Sequence, residues 1–317
     1  MRLATFRPAD LASSEGSVAW RVGLVSDGGR AVIDAARALS WWRPTSGLEP
    51  PLDPLAWFDT GAAWFIALSR LNEVLGVDER LLVHLREAGF VADLSTCALG
   101  SPVPRPGKIV AVGLNYRDHA AEARLEVPAS PVIFAKFPTA VIGSGASIVL
   151  PRGASRVDYE AELAVVIGRR AKHVPAALAL EVVLGYMNAN DVSERDFQKR
   201  DGQWVRAKSC DTFAPLGPWL VTADEVPDPN ALAIELRRNG EVMQASRTSH
   251  FVFPVQQLIE FLTTTMTLEP GDVILTGTPP GVGFARRPPV FLQPGDRVEV
   301  EIDGLGILVN DVTVDQG

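Results

Sequence analysis

The run Asp158-Tyr159-Glu160-Ala161-Glu162-Leu163-Ala164-Val165-Val166-Ile167-Gly168 sets two carboxylates, two residues apart, at the head of an apolar, β-branched stretch. Such a stretch reads as a buried strand. Side chains alternate between the two faces of a strand, so Glu160 and Glu162 share one face. Two like charges side by side on a mostly buried strand repel each other and resist leaving water. A fold that keeps them must either turn that face to solvent at a sheet edge or hold a cation between the two acids. An all-oxygen pair suits a hard ion: Mg2+, Mn2+ or Ca2+. Asp191 follows the apolar run Val182 to Met187, and an acid where a buried strand ends is a candidate third ligand. The same position suits a helix N-cap, with Asp191 or Ser193 capping a segment that runs through Gln198.

With 317 residues the chain exceeds one ordinary core, which predicts a large domain and a smaller one. Gly100-Ser101-Pro102-Val103-Pro104-Arg105-Pro106-Gly107 reads as a stiff, extended linker. It divides the chain into a small N-terminal α+β domain (1–100), the linker (101–107) and a larger domain (108–317) that carries the acidic run. In the first part, residues 20–35 alternate around Ser26-Asp27-Gly28-Gly29 as a hairpin. Trp64, Leu68, Leu71 and Leu75 make a helical stripe. So small a unit buries little by itself, so the stripe is expected to pack on the larger domain, its own or that of a dimer mate. Past the linker, Lys108 to Gly113 reads as a strand, Asn115 to Ala123 as a short helix, Pro254 to Met266 as a helix and Arg297 to Ile302 as a strand. Short apolar runs with Gly and Pro punctuation fill most of the remainder. The fold class is therefore α+β and β-rich. No strand–GxGxxG–helix unit and no Walker loop is present, which argues against nucleotide binding.

A net charge of −8 and a pI near 5.1 argue against a nucleic-acid or anionic-membrane partner, though not against an anionic substrate gathered by local cations. Two cysteines cannot build a disulfide framework and suit a reducing cytosol, so a cytoplasmic location is expected. The first residues lack the layout of a signal peptide, and no apolar run reaches the length of a membrane span.

Four further settings carry chemistry. His119 and Glu122, three apart on the short helix, can pair, so that the carboxylate orients the ring and raises its basicity; a surface ion pair is the plainer reading. Lys208, near an ion, could hold a carboxylate or a developing enolate, or could be an ordinary solvated lysine. Arg195 and Gln198, four and seven residues beyond Asp191, would share a helical face with it and could bind a substrate acid. The loop Thr276-Gly277-Thr278-Pro279-Pro280-Gly281-Val282-Gly283 could offer backbone N–H groups and the Thr278 hydroxyl to an oxyanion.

Together these segments resemble the fumarylacetoacetate hydrolase family. The matching residues are Gly113 to Glu122, Phe134-Ala135-Lys136-Phe137-Pro138, Asp158 to Leu163, Asn190-Asp191-Val192-Ser193, Lys208-Ser209-Cys210-Asp211-Thr212, Pro270 to Pro279 and Gly281-Val282-Gly283, in order from about residue 105 to 315. The resemblance implies a mixed β-sheet roll paired into a homodimer, and a divalent ion, Mg2+ or else Mn2+ or Ca2+, held by Glu160, Glu162 and Asp191. It implies a His119–Glu122 dyad, an active-site Lys208, and Arg195 and Gln198 against the substrate acid. Cys210 departs from the pattern, since an aromatic residue is frequent there, and this bears on pocket shape. The activity implied is metal-dependent hydrolysis of a C–C bond in an acylpyruvate or related β-diketo acid, through a metal-stabilised enolate. The same enolate serves a 2-oxo acid decarboxylase or an enol–keto isomerase or hydratase in aromatic catabolism. A catalytically silent, metabolite-binding dimer is the reading from another class, disfavoured because every residue of the dyad and the acid set is present.

Overall fold

A computed structural model of the chain describes residues 1–8, 20–42, 51, 54–123 and 126–315. Its largest element is a 12-stranded sheet. The acidic run forms the strand Ala161–Ile167, buried along its whole length. It is not at an edge: antiparallel neighbours flank it, Val183–Asn190 on one side and Val273–Leu275 on the other. Val273–Leu275 then pairs in parallel with Ile109–Gly113, and that strand pairs antiparallel with Val132–Lys136. In the opposite direction Val183–Asn190 pairs with Ala214–Thr222, and Ala214–Thr222 pairs with Arg2–Pro8. The sheet thus continues into the N-terminal region through Arg21–Ser26, Ala31–Asp34 and Val91–Asp93.

Period-two alternation on Ala161–Ile167 feeds two cores. Leu163, Val165 and Ile167 pack with Ile234, Leu236, Val298, Val300 and Leu308 of a second, five-stranded sheet, and with Leu258, Ile259 and Leu262 of the helix Val255–Thr265. Ala164 and Val166 point the other way and pack with Met187, Leu216, Leu220 and Leu275, and with N-terminal Leu24, Ile33, Leu68 and Leu71. The stripe on the helix Ala63–Leu75 therefore finds its partner surface in its own chain, with Leu68 and Leu71 fully buried and Trp64 and Leu75 partly so. The expected hairpin is Arg21–Ser26 with Ala31–Asp34. The stretch 101–107 is packed down at its start: Ser101 and Val103 are buried, and Thr5 Oγ1 donates to Pro102 O.

Candidate active site

Register brings the three acids together. Ala161 lies opposite Asn190 and Glu162 opposite Ala189, so Asp191 comes up beside Glu160, and its N–H donates to Glu160 O (2.8 Å). Glu160, Glu162 and Asp191 each present a carboxylate oxygen within 4.8 Å of the others, and all three are buried. Asp191 does not cap a helix. The cap of Arg195–Asp201 is Glu194, whose side chain accepts from Phe197 N–H. Asp191 precedes that helix, so it does not share a helical face with Arg195 and Gln198.

Cations surround two of the acids. Lys208 Nζ donates to Glu160 Oε2 and Asp191 Oδ2, both at 2.7 Å. Lys136 Nζ donates to the other oxygen of Asp191 and to Val192 O. Arg195 Nη2 lies 2.6 Å from Glu160 Oε1 and 2.8 Å from Asp158 Oδ2, off the line of a hydrogen bond to either, while its Nε donates to Asp158 Oδ2 at 2.9 Å. Burial by itself would raise the Glu160 carboxyl, but Lys208 and Arg195 overcome it and pull it down to about 2. Burial lowers the Lys136 ammonium, against the pull of Asp191. It also opposes the charge on Lys208, yet Asp191 and Glu160 outweigh it and hold that ammonium above the usual lysine value. Glu162 differs: it accepts from the Gly277 N–H (2.7 Å), and burial, with Asp191 and Glu160 alongside, raises it well above the usual carboxylate range. A buried acid in this position fits a hard divalent cation shared by the three carboxylates.

These acids open into a cavity of about 440 Å³ lined by His119, Gln198, Lys208 and Thr278 among others, with apolar walls from Val112, Leu114, Phe134, Trp204 and Phe284. Leu114 sits at φ 54°, a left-handed backbone that costs a non-glycine residue about 1–3 kcal/mol and that clusters at functional sites. His119 Nδ1 is 3.2 Å from Glu122 Oε2, and the helix Arg117–Ala123 that carries both is tied down by Arg117 to Phe251 O. Gln198 Oε1 accepts from Arg195 Nη1 (2.9 Å), and Thr278 Oγ1 accepts from Gln244 Nε2 (2.8 Å). The glycine N–H groups of the loop 276–283 do not face the cavity as free donors. Gly277 donates to Glu162, Gly281 to Glu122 and Gly283 to Asp158, so the loop organises the site's own carboxylates.

All nine residues singled out in the sequence meet around this one cavity: Asp191 and Glu122 reach it through their partners and the rest line it. Sequence reasoning passed over two. Lys136, at the end of Val132–Lys136, is fully buried against Asp191, and Asp158 anchors Arg195, Gly283 N–H and Phe284 N–H. A larger cavity, about 750 Å³, lies between Arg7, Trp20 and the segment 141–146, and none of the nine lines it.

The Fumarylacetoacetate (FAA) hydrolase C-terminal profile matches residues 108–313. Oxaloacetate tautomerase FAHD2A, mitochondrial, of Bos taurus is 44% identical over 314 residues, covering 98% of this chain and 91% of its own. The solved structure of the fumarylacetoacetate hydrolase EaFAH from Exiguobacterium antarcticum superposes with a TM-score of 0.77 at 32% identity, covering 99% of this chain and 100% of that one. The structure of 5-carboxymethyl-2-hydroxymuconate delta-isomerase from Mycobacterium smegmatis gives 0.72 at 36% identity, with the same coverage. By sequence and by its strand-rich α+β fold, the chain belongs to the fumarylacetoacetate hydrolase family.

Proposed function

We propose that the chain is an enzyme acting on small anionic 2-oxo acids through their enol forms, with Mg2+, or else Mn2+ or Ca2+, on Glu160, Glu162 and Asp191. The observation that carries this reading is the His119–Glu122 pair set on the same cavity as the acids and Lys208. A divalent ion bound to the three acids would supply Lewis-acid polarisation of the substrate's oxygens. The chain's own groups supply the remainder. With Nδ1–H turned to Glu122, His119 presents Nε2 as a base, which takes a proton from the carbon next to the 2-oxo group. Returning that proton to oxygen or to carbon interconverts keto and enol forms. Lys208 has three N–H donors, and two are engaged by Glu160 and Asp191, which leaves one for the oxygen that gains charge. The bonds made by the Gln198 and Thr278 side chains engage only their oxygens, which leaves the Gln198 amide N–H groups and the Thr278 hydroxyl proton to donate to substrate.

Enol–keto isomerisation is supported by a tautomerase relative that spans nearly the whole chain and by an isomerase among the solved structures. C–C hydrolysis is the second reading, supported by a cavity of about 440 Å³, with room for a water and an acyl group beside the 2-oxo acid. There His119 deprotonates water, the hydroxide adds to the distal carbonyl, and the C–C bond breaks with its electron pair left on the enolate carbon. Decarboxylation of oxaloacetate needs that enolate and no activated water. We further propose a cytoplasmic homodimer, tested by cell fractionation and light scattering. The deciding experiment follows enol absorbance of oxaloacetate, acylpyruvates and 2-oxo-heptenedioates, with and without Mg2+. We expect turnover that needs the ion and that falls about 100- to 10,000-fold in His119→Ala. A His119→Ala enzyme at wild-type rate would remove His119 from the reaction, and a wild type silent on every substrate would overturn the reading.

A further inference from the structure

We propose that Lys199 selects dianionic 2-oxo acids by pairing with a second carboxylate at the far end of the substrate, an inference that rests on the 2-oxo acid reading above. Three residues of the helix Arg195–Asp201 line the cavity, and their exposure rises outward: Arg195 is buried, Gln198 half-buried and Lys199 exposed. The helix therefore runs from the acids to the mouth. At the acidic end each cation already faces a carboxylate, Arg195 with Asp158 and Glu160, Lys208 with Glu160 and Asp191. At the mouth Arg156 is paired with Asp196 (3.2 Å) and lies over the Phe291 ring. The Lys199 side chain makes no hydrogen bond or ion pair with any described residue. The acids that line the cavity, Glu160 and Glu162, are both buried, and its apolar lining includes the half-buried Phe134, Trp204 and Phe284. A 2-oxo acid whose reacting end lies at the triad thus extends along an apolar wall toward an ammonium with no carboxylate of its own. An apolar tail would leave that ammonium as it is, whereas a terminal carboxylate would gain a charge-assisted partner.

The test is a binding measurement on the full chain in Mg2+, by calorimetry, with 2-oxoglutarate and 2-oxopentanoate as probes. These share a chain length and a 2-oxo acid head and differ in a terminal carboxylate against a methyl group. A partly exposed charge-assisted contact predicts that the wild type binds 2-oxoglutarate about 3- to 10-fold more tightly, and that Lys199→Met brings the ratio below about 2-fold. Lys199→Arg should keep the preference and Lys199→Glu reverse it. Lys199 is exposed, so thermal melting of these variants should match the wild type. A wild type without the preference, one that binds neither probe, or a Lys199→Met protein that keeps the ratio would overturn the assignment. Failure of the activity reading looks different: no turnover in the substrate screen, with the Lys199-dependent binding ratio intact.

Discussion

Among the described residues, Glu162 is the acid of the triad with no ion pair of its own. Glu160 has Lys208 and Arg195, and Asp191 has Lys136 and Lys208, while the bond described for Glu162 comes from a backbone N–H. An isolated buried charge costs several kcal/mol, so without an ion Glu162 either bears that cost or takes up a proton, the direction in which burial and its neighbouring acids push it. Glu162→Gln keeps the shape and removes the charge. In chelator-treated protein the variant should melt at or above the wild-type temperature. Adding Mg2+ to about 100 times its dissociation constant should stabilise the wild type by about 2.7 kcal/mol and leave the variant nearly unmoved. A wild-type melting curve indifferent to Mg2+ would refute an ion site on these acids. At this scale the spacing of Glu160 and Glu162 was legible because a strand has a fixed period of two. Lys136 was not, because a lysine closing a strand usually reaches solvent. Its one signal was the apolar company of Val132, Ile133, Phe134 and Ala135. Arg195 was read as a substrate contact; it lines the cavity, and its guanidinium is also held by Asp158 and Glu160 and bonded to Gln198, partners that the spacing alone did not announce.

One scale up, the loop that follows Val273–Leu275 ties the site together. Its glycines donate to Glu162, Glu122 and Asp158, one carboxylate each from the triad, the dyad and the arginine anchor. Gly281 has φ 103°, and a Cβ there would stand 2.1 Å from Met243 O. Gly281→Ala must therefore shift backbone, which we expect to cost at least about 1–3 kcal/mol and to withdraw the N–H that holds Glu122. The expected outcome is a lower melting temperature together with an activity loss larger than the stability loss explains. It is measured by thermal melting beside kcat on whichever 2-oxo acid proves a substrate. An unchanged kcat would show that Glu122 needs no help from the loop. The composition of this loop marked it as stiff and backbone-exposing, and that much is physical. Which way its N–H groups point depends on φ and on partners far away in sequence, such as Glu122, and no local pattern encodes that. The helix cap shows the same limit: Asp191 and Ser193 have suitable side chains, but sheet register commits Asp191 to Glu160 and leaves the cap to Glu194.

For the whole molecule, the division at 101–107 is our proposal for where the family-specific catalytic part begins, and the sheet runs straight across it. Leu3 of Arg2–Pro8 pairs with Leu220 of Ala214–Thr222, and Leu68 and Leu71 share a core with Val166, Met187, Leu216 and Leu275. The amphipathic stripe announced that such a surface must exist. It could not announce that the partner would be the back of the strand carrying the acids, because that contact is long-range. This arrangement makes a specific outcome for a fragment of residues 104–317. All three acids remain in it, yet removing the N-terminal region strips one sheet edge at Ala214–Thr222 and uncovers Leu184, Leu216 and Leu220. An exposed strand edge beside a large apolar patch is an aggregation site. We expect the fragment to be insoluble or to unfold without a cooperative transition, and co-expression with residues 1–103 as a separate chain to restore solubility and Mg2+ binding together. Solubility, melting profile and calorimetric Mg2+ titration measure this. A soluble, cooperatively melting 104–317 fragment with wild-type Mg2+ affinity would show that the N-terminal region only covers the catalytic sheet and is not needed to fold it.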